Sequence, residues 1–193
     1  MHIDYQLLES IALGLGLSVA AGFRIFVPFL VLSVTSVFGP LALNDSLNWL
    51  DNPDVLIGLA VAVVIEILSY SVPWLDNLTD VLAVPLAAIA GTVLMASATG
   101  HIDPFLQWGL AIVAGGGSAV TVKGLSGLTR FFSTATTGGL ANFLVAIGEL
   151  IAAVGITVLS FTLPILGVIA IAFLLLGLFL FWFFRLRKNY VKN

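Results

Sequence analysis

Long apolar segments, separated by short polar ones, follow each other along almost the whole chain. They cover residues 8–38, 55–72, 81–98, 108–123, 142–161 and 165–184. A helix needs about twenty apolar residues to cross the hydrocarbon core of a bilayer, and most of these segments approach or exceed that length. The pattern therefore predicts an all-α membrane protein with about six transmembrane helices, which form a single polytopic domain over residues 1–193.

The first apolar segment is longer than one crossing requires, and Gly22, Arg24 and Pro28 interrupt it near its middle. Proline has no backbone N–H, so Pro28 removes the helical hydrogen bond to the carbonyl of Arg24. We expect a tilted helix that is broken at this point, with the kink and the charge on adjacent turns.

The composition supports a membrane protein. Of the 193 residues, 60% are apolar and 9% are charged, and the mean hydropathy is +1.17. Soluble domains carry about a quarter charged residues, so the lipid bilayer is the expected partner. The net charge of −3 argues against nucleic acid as a partner, because phosphate binding requires a basic surface.

Basic residues predict the orientation in the membrane. The residues before Leu8 include no Lys or Arg, whereas four basic residues follow the last apolar segment: Arg185, Arg187, Lys188 and Lys192. Because basic flanks favour the cytoplasmic side, six crossings place both termini in the cytoplasm. Helical crossings indicate an inner (cytoplasmic) membrane. The tail 185–193 is either a topology marker alone or a site for anionic lipids.

Three ionisable residues lie deep in predicted crossings: Arg24, Glu66 and Glu149. A charge at the centre of a membrane helix costs about 2.5–3.5 kcal/mol on insertion scales. We expect both glutamates to face the bundle interior and Arg24 to pair with one of them, with Lys123 nearer the cytoplasmic edge opposite the other. These four residues are candidates for binding a substrate or ion. The alternative is that the ion pairs only fix the register of the helices.

The two halves of the chain show a similar order of features. In each half, small residues lead to a cation, and an intramembrane glutamate and a proline follow. The halves cover residues 8–98 and 105–184, and the matched pairs are Arg24 and Lys123, Glu66 and Glu149, and Pro73 and Pro164. Two halves of three crossings each would be inverted relative to one another, as in many secondary transporters. The alternative is a chance similarity, since any six-helix protein with a few prolines fits this scheme.

A polar run, RFFSTATTGGLAN at residues 130–142, separates two apolar segments. Its candidate binding residues are Ser133, Thr134, Thr136, Thr137, Gly138 and Gly139. Hydroxyls and glycines favour turns and local side-chain to backbone hydrogen bonds over a regular helix. Irregular backbone at membrane depth requires protein or water to satisfy it, so the run is a candidate site. The alternative is a solvated loop that joins two helices.

Two further segments contribute weaker signals. Asp76 and Asp80 are secondary candidates in a predicted connection before the third crossing, where they either cap that helix or bind a cation. The glycines of residues 115–119 are expected to allow close approach by a neighbouring helix.

Several kinds of chemistry are excluded by residue types. The histidines, His2 and His101, lie in segments predicted to face water, and each aspartate lies near the end of a crossing or in a loop. Intramembrane serine or aspartyl proteolysis is therefore not expected. The chain contains no cysteine and no nucleotide-binding motif, so we expect no metal site built from histidine and cysteine and no ATP-driven transport. We expect no enzymatic activity, no metal and no cofactor.

Three parts of the chain together resemble one family. They are AAGFRIFVP at residues 20–28, VIE at 64–66 with PWLD at 73–76, and STATTGGLAN at 133–142. The chain is similar, over about residues 8–184, to uncharacterised bacterial membrane proteins of the domain of unknown function 4126 family. In that family a proline often follows the asparagine of the last block, whereas Phe143 follows it here, which marks the next helix start less sharply. The resemblance implies a membrane fold and no established activity.

Two functions of different classes fit these observations. The first is a small proton-coupled transporter or channel for a small solute or ion, with a small solute or a cation as the possible partner, in which protonation of Glu66 or Glu149 releases a cation partner. The second is a non-transporting membrane scaffold or assembly factor, whose glycine-rich faces and ion pairs bind partner helices. A second copy of the chain is a candidate partner in either case.

Overall fold

The computed structural model describes residues 5–39, 43, 45–69, 73–138, 140–169, 172–173 and 176–177, and for residues 69 and 73–81 it describes the backbone alone. Within these ranges the chain is almost entirely helical and contains no strand. The basic tail 185–193 and Gly139, for which the sequence makes predictions, lie outside the described residues.

Up to Thr162, the described residues form seven α-helices and two shorter helical segments. They are α1 (Tyr5–Phe23), α2 (Val27–Val37), a 3₁₀ helix (Asp45–Asp51), α3 (Pro53–Ser69), α4 (Pro73–Ala98), α5 (Pro104–Leu110), a π-helical segment (Ala111–Gly116), α6 (Gly117–Thr137) and α7 (Asn142–Thr162). The helix from α5 through the π-helical segment to α6 is continuous. After a bend at Leu163, residues 164–169 are helical again.

Three of these helices are long and apolar enough to cross a membrane: Tyr5–Phe23, Pro104–Thr137 and Asn142–Thr162. Two shorter apolar helices, Val27–Val37 and Leu82–Ala98, accompany them. The all-helical fold is thereby confirmed for the described residues, with helices long and apolar enough to span a membrane. Six crossings and two inverted halves stay predictions.

α1 is the central helix, and it packs against α4, α6 and α7. Small residues let it come close to its neighbours. The Ser18 hydroxyl donates a 2.8 Å hydrogen bond to the carbonyl oxygen of Gly91 on α4. On the α6 side, a Cβ added to Gly22 would lie 2.7 Å from the carbonyl oxygen of Ala119. The backbones of three helices are therefore in near contact around the C-terminal half of α1.

The π-helical segment and α4 are also in close backbone contact. A Cβ on Gly115 would lie 2.5 Å from the carbonyl oxygen of Gly91, and one on Gly116 would lie 2.7 Å from the Thr92 hydroxyl. These contacts confirm that the glycine segment permits close approach. Gly117 has no atom within 4 Å of an added Cβ, so the contact ends before it.

The start of α4 differs from the prediction. Residues 73–80, which include the predicted connection at residues 76–80, belong to the helix itself. Pro73 fits the first helical position, because proline lacks only an N–H that would have no helical partner there. Asp76 and Asp80 therefore lie in the first two turns of α4, where acidic residues compensate the helix dipole. Their side chains are outside the described part of the chain.

The break in the first apolar segment is present. α1 ends at Phe23, α2 begins at Val27, and the three residues between them are not helical. Pro28 occupies the second position of α2, where its missing N–H interrupts no helical bond. The predicted helix break is thereby confirmed, and Arg24 is its first residue.

Candidate functional site

The break leaves backbone groups of two helix ends without helical partners. The last carbonyls of α1 and the first N–H groups of α2 both require hydrogen bonds, and lipid offers none. Side chains from two other helices supply them, and these side chains carry opposite charges.

Glu66 of α3 caps the start of α2. One carboxylate oxygen accepts a 2.9 Å hydrogen bond from the backbone N–H of Ile25, and the other accepts a 3.3 Å bond from that of Phe26. A negative charge at a helix N-terminus is favoured by the helix dipole. The Glu66 carboxylate thus replaces the cap that the chain around the break lacks, since Phe26 makes no side-chain cap bond.

Lys123 of α6 caps the end of α1. Its ammonium group donates a 3.2 Å hydrogen bond to the carbonyl oxygen of Phe23, and the side chain is buried. A positive charge at a helix C-terminus is again the favourable sign. The close approach of α6 at Gly22 brings the ammonium group into range.

Arg24 points from the break toward α7. It is 1% exposed, and its guanidinium donates a 3.1 Å hydrogen bond to the carbonyl oxygen of Ala146. The same nitrogen lies 3.5 Å from a carboxylate oxygen of Glu149. The predicted pairing of Arg24 with an intramembrane glutamate is therefore present.

Glu149 has several polar partners. It is buried on α7, and the Arg130 guanidinium binds both of its oxygens, with the Nε bond measuring 3.2 Å. The Ser126 hydroxyl donates a further hydrogen bond to it. A buried carboxylate is stable only when it is paired and hydrogen-bonded, and Glu149 meets both conditions.

We call the five ionisable residues around the break the charge cluster; they are Arg24, Glu66, Lys123, Arg130 and Glu149. Lys123 interacts electrostatically with each of the other four. Four members are buried, and Glu66 is the half-buried one. Lys123 was expected opposite the glutamate that Arg24 does not pair with; it interacts electrostatically with Glu66 and donates a hydrogen bond to the carbonyl of Phe23 at the break.

The STATTGG run has a different structure from the expected irregular segment. Ser133 to Thr137 form the last turns of α6, and Gly138 ends the helix in the left-handed conformation, with φ of 64°. The Thr136 and Thr137 hydroxyls donate to the carbonyls of Phe132 and Ser133, both at 2.7 Å. The expected local hydrogen bonds therefore exist, but they lie within a helix that tolerates them.

The hydroxyls of this run also hold the corner between α6 and α7. The Thr137 hydroxyl accepts a 3.2 Å bond from the backbone N–H of Ala141, and the Asn142 amide donates to the Thr134 hydroxyl at 2.9 Å. Thr134, Thr136, Thr137 and Gly138 are exposed, and Ser133 is half-buried. None of these contacts reaches the charge cluster.

Two residues of the site, Ser126 and Arg130, were not among the predicted site residues. Both lie on the face of α6 that carries Lys123, at spacings of three and four residues. This spacing is visible in the sequence once residues 123–137 are assigned to a helix. The assignment of the polar run to a loop concealed it.

The comparison with known families gives one match. A family model described as Domain of unknown function (DUF4126) matches residues 11–185. No curated protein and no solved structure matches the chain.

Proposed function

The chain belongs to the family Domain of unknown function (DUF4126), whose description assigns no activity, and we propose from its geometry that it is a small proton-coupled transporter. The observation that carries this proposal is the charge cluster at the break of the first apolar segment. The proposed site for a solute or ion is this cluster. The proposal places the protein in the inner membrane of a bacterium, with both termini in the cytoplasm, and includes no catalytic step.

A broken helix with charged caps suits a transport site. Secondary transporters bind solutes and ions at discontinuous helices, whose free ends point into the site. Here the end of α1 and the start of α2 lie three residues apart, and Lys123 and Glu66 bind them. Intramembrane charges are costly and commonly mark solute or proton pathways.

The two halves of the chain both contribute to the cluster. Arg24 and Glu66 come from the first half, whereas Lys123, Arg130 and Glu149 come from the second. This supports six crossings in two inverted halves with the site between them, the arrangement of many secondary transporters.

Protonation of a glutamate provides the coupling. If Glu66 takes up a proton, the start of α2 loses its anionic cap; if Glu149 takes one up, Arg24 and Arg130 lose their counter-ion. Either event changes the relative free energy of two conformations, which is the requirement for a proton to drive a transport cycle.

The hydrogen bonding of the cluster also favours a second function. Both oxygens of Glu66 and both of Glu149 have partners, so the network could hold the helices in register without moving. A non-transporting membrane scaffold is therefore the second candidate.

The test uses the purified protein in vesicles that contain a pH-sensitive dye. Inward gradients of small anions and of small cations are imposed in turn, and the internal pH is recorded against protein-free vesicles. We expect one solute class to move protons in wild type and in Glu9→Gln, an exposed carboxylate on α1, and not in Glu149→Gln. Absence of solute-dependent proton movement in wild type, for anions and for cations, would contradict the transporter and favour the scaffold.

A further inference from the structure

We infer that water reaches the charge cluster along one face of α6, from the corner between α6 and α7, and that Ser133 and Asn142 bind it at the entry. As a route for protons, this path rests on the proposed function; as a path for water, it stands without it. The inference follows from two buried oxygens at the corner, the spacing of polar residues on α6 and the apolar packing beyond the break.

Two buried side-chain oxygens at the corner have no hydrogen-bond partner, Ser133 Oγ and Asn142 Oδ1. The amide nitrogen of Asn142 donates to the Thr134 hydroxyl, which ties the start of α7 to α6 and leaves the amide oxygen as an acceptor. Both side chains are half-buried and lie next to the exposed end of α6. Buried polar atoms in proteins bind either protein groups or ordered water, so these two oxygens are water sites.

The polar face of α6 connects the corner with the charge cluster. Lys123, Ser126, Arg130 and Ser133 follow at intervals of three, four and three residues, which places them on one face of the helix. Ser126 and Arg130 are buried and bind the carboxylate of Glu149. Ser133 is one turn further, about 4.5 Å along the helix axis from Arg130. Water at Ser133 is therefore next to the cluster.

The start of α7 borders the same path. Asn142 precedes Glu149 by seven residues, which is two turns on the same face and about 10 Å along the axis. Between them lies Ala146, whose carbonyl oxygen accepts the hydrogen bond of Arg24. The two unpartnered oxygens thus lie between the exposed corner and the cluster, and the first carboxylate on the path is Glu149.

The other side of the break is closed by apolar packing. Its buried side chains include Leu17, Ile25, Phe29, Leu32, Leu47 and Leu50. Three buried hydroxyls on that side, of Ser18, Ser33 and Thr157, each donate to a backbone carbonyl. Within the described part of the chain, no buried side-chain oxygen there lacks a partner. The cluster is therefore open to water from the face that bears the corner.

Cysteine labelling tests this path, since the chain contains no native cysteine. Ser126→Cys and Ser18→Cys place thiols at buried positions on the two sides of the break, and Ala135→Cys and Ser46→Cys place them at exposed positions near the corner and in the 3₁₀ helix. Each full-length variant is treated with a membrane-impermeant anionic thiosulfonate in membrane vesicles of either orientation. The reagent reacts with the ionised thiol, so a thiol in contact with water is labelled.

We expect Ser126→Cys to be labelled in the vesicle orientation that labels Ala135→Cys. Its rate should be at least about tenfold that of Ser18→Cys, which reacts only when the fold opens locally. Equal rates for the two buried thiols, no labelling of Ser126→Cys, or labelling only in the orientation that labels Ser46→Cys would overturn the inference.

A second substitution tests the entry itself. In the Ser126→Cys background, Ser133→Val should slow labelling severalfold, because an apolar side chain replaces a water site. Thr129→Val should not slow it, because the Thr129 hydroxyl already donates to the carbonyl of Leu125. Equal labelling rates in the two double variants would overturn the role of Ser133.

The inference stays open to refutation if Ser126→Cys does not fold. Ala146→Cys then replaces it, because Arg24 binds the backbone of Ala146 and the cluster keeps its hydrogen bonds. Labelling requires no transport, so the two proposals fail separately. The expected labelling without solute-dependent proton movement in vesicles would refute the transporter and leave the path. Proton movement without labelling would refute the path and leave the transporter.

Discussion

The carboxylate of Glu66 lies 2.9 Å from the backbone nitrogen of Ile25 and accepts its N–H, although 41 positions separate the two residues. The start of one helix is thus capped by a side chain from a different helix. Lys123 performs the opposite function for the carbonyl of Phe23 at the preceding helix end. The sign of each charge matches the dipole of the helix end that it binds.

Two replacements of Glu66 should distinguish the contribution of its hydrogen bonds to stability from the contribution of its charge. Glu66→Ala leaves the N–H groups of Ile25 and Phe26 without a partner, which we expect to lower the free energy of unfolding by about 1–3 kcal/mol. Glu66→Gln keeps an oxygen that accepts one of these bonds, so its free energy of unfolding should fall by less than that of Glu66→Ala. Thermal unfolding in detergent measures both, with Glu9→Ala as the control. Equal stability of Glu66→Ala and wild type would show that the cap does not stabilise the break.

Removal of Glu149 should be the most destabilising change in the cluster. Glu149→Ala leaves Arg24 and Arg130 buried without this counter-ion, and loss of one partner of a buried pair costs about 3–5 kcal/mol. The double variant Glu149→Gln with Arg130→Gln should lose less than the sum of the two single variants, because the charges are removed together. Additive losses would contradict a direct ion pair.

The intramembrane charges were predictable because their free-energy cost is independent of the details of the fold. Arg24, Glu66 and Glu149 stand out in apolar segments, and a charge there has to find partners. Which partners they find was not predictable. The capping of one helix by another depends on how closely the backbones approach at Gly22 and Gly91. The separation of residues along the sequence does not indicate this approach.

The end of α6 shows why the amino-acid composition of residues 133–138 predicted an irregular segment where a helix is present. Serine and threonine disfavour helix interiors because their hydroxyls compete for backbone groups. At Thr136 and Thr137 the hydroxyls instead bond to carbonyls of the preceding turn, which a helix accommodates. Gly138 then ends the helix one residue later, which is the usual place for a glycine.

The contact between α4 and the π-helical segment should not tolerate a methyl group. In Gly115→Ala the new Cβ would lie 2.5 Å from the carbonyl oxygen of Gly91, and overpacking of this kind costs about 1–3 kcal/mol. Gly117→Ala places its methyl group in open space and should be neutral or stabilising by up to about 1 kcal/mol. Thermal unfolding measures the stability of the two variants. A Gly115→Ala variant as stable as wild type would contradict the close contact.

Gly138 should be sensitive for a different reason, its backbone conformation. Gly138→Ala meets no neighbouring atom but has to adopt φ of 64°, so we expect a loss of about 1–2 kcal/mol. Gly148→Ala also meets no neighbour, but it lies within α7 and should stabilise by up to about 1 kcal/mol. If the two variants melt at the same temperature, the left-handed end of α6 is not supported.

Under the proposed function, proton uptake by Glu66 couples proton movement to a solute at the helix break. The most direct test records the internal pH of vesicles when inward gradients of small anions and of small cations are imposed in turn. We predict that one solute class changes the internal pH with wild type and Glu9→Gln, and that neither class changes it with Glu66→Gln. A change with Glu66→Gln equal to that of wild type, or no change with wild type for either class, would contradict this coupling.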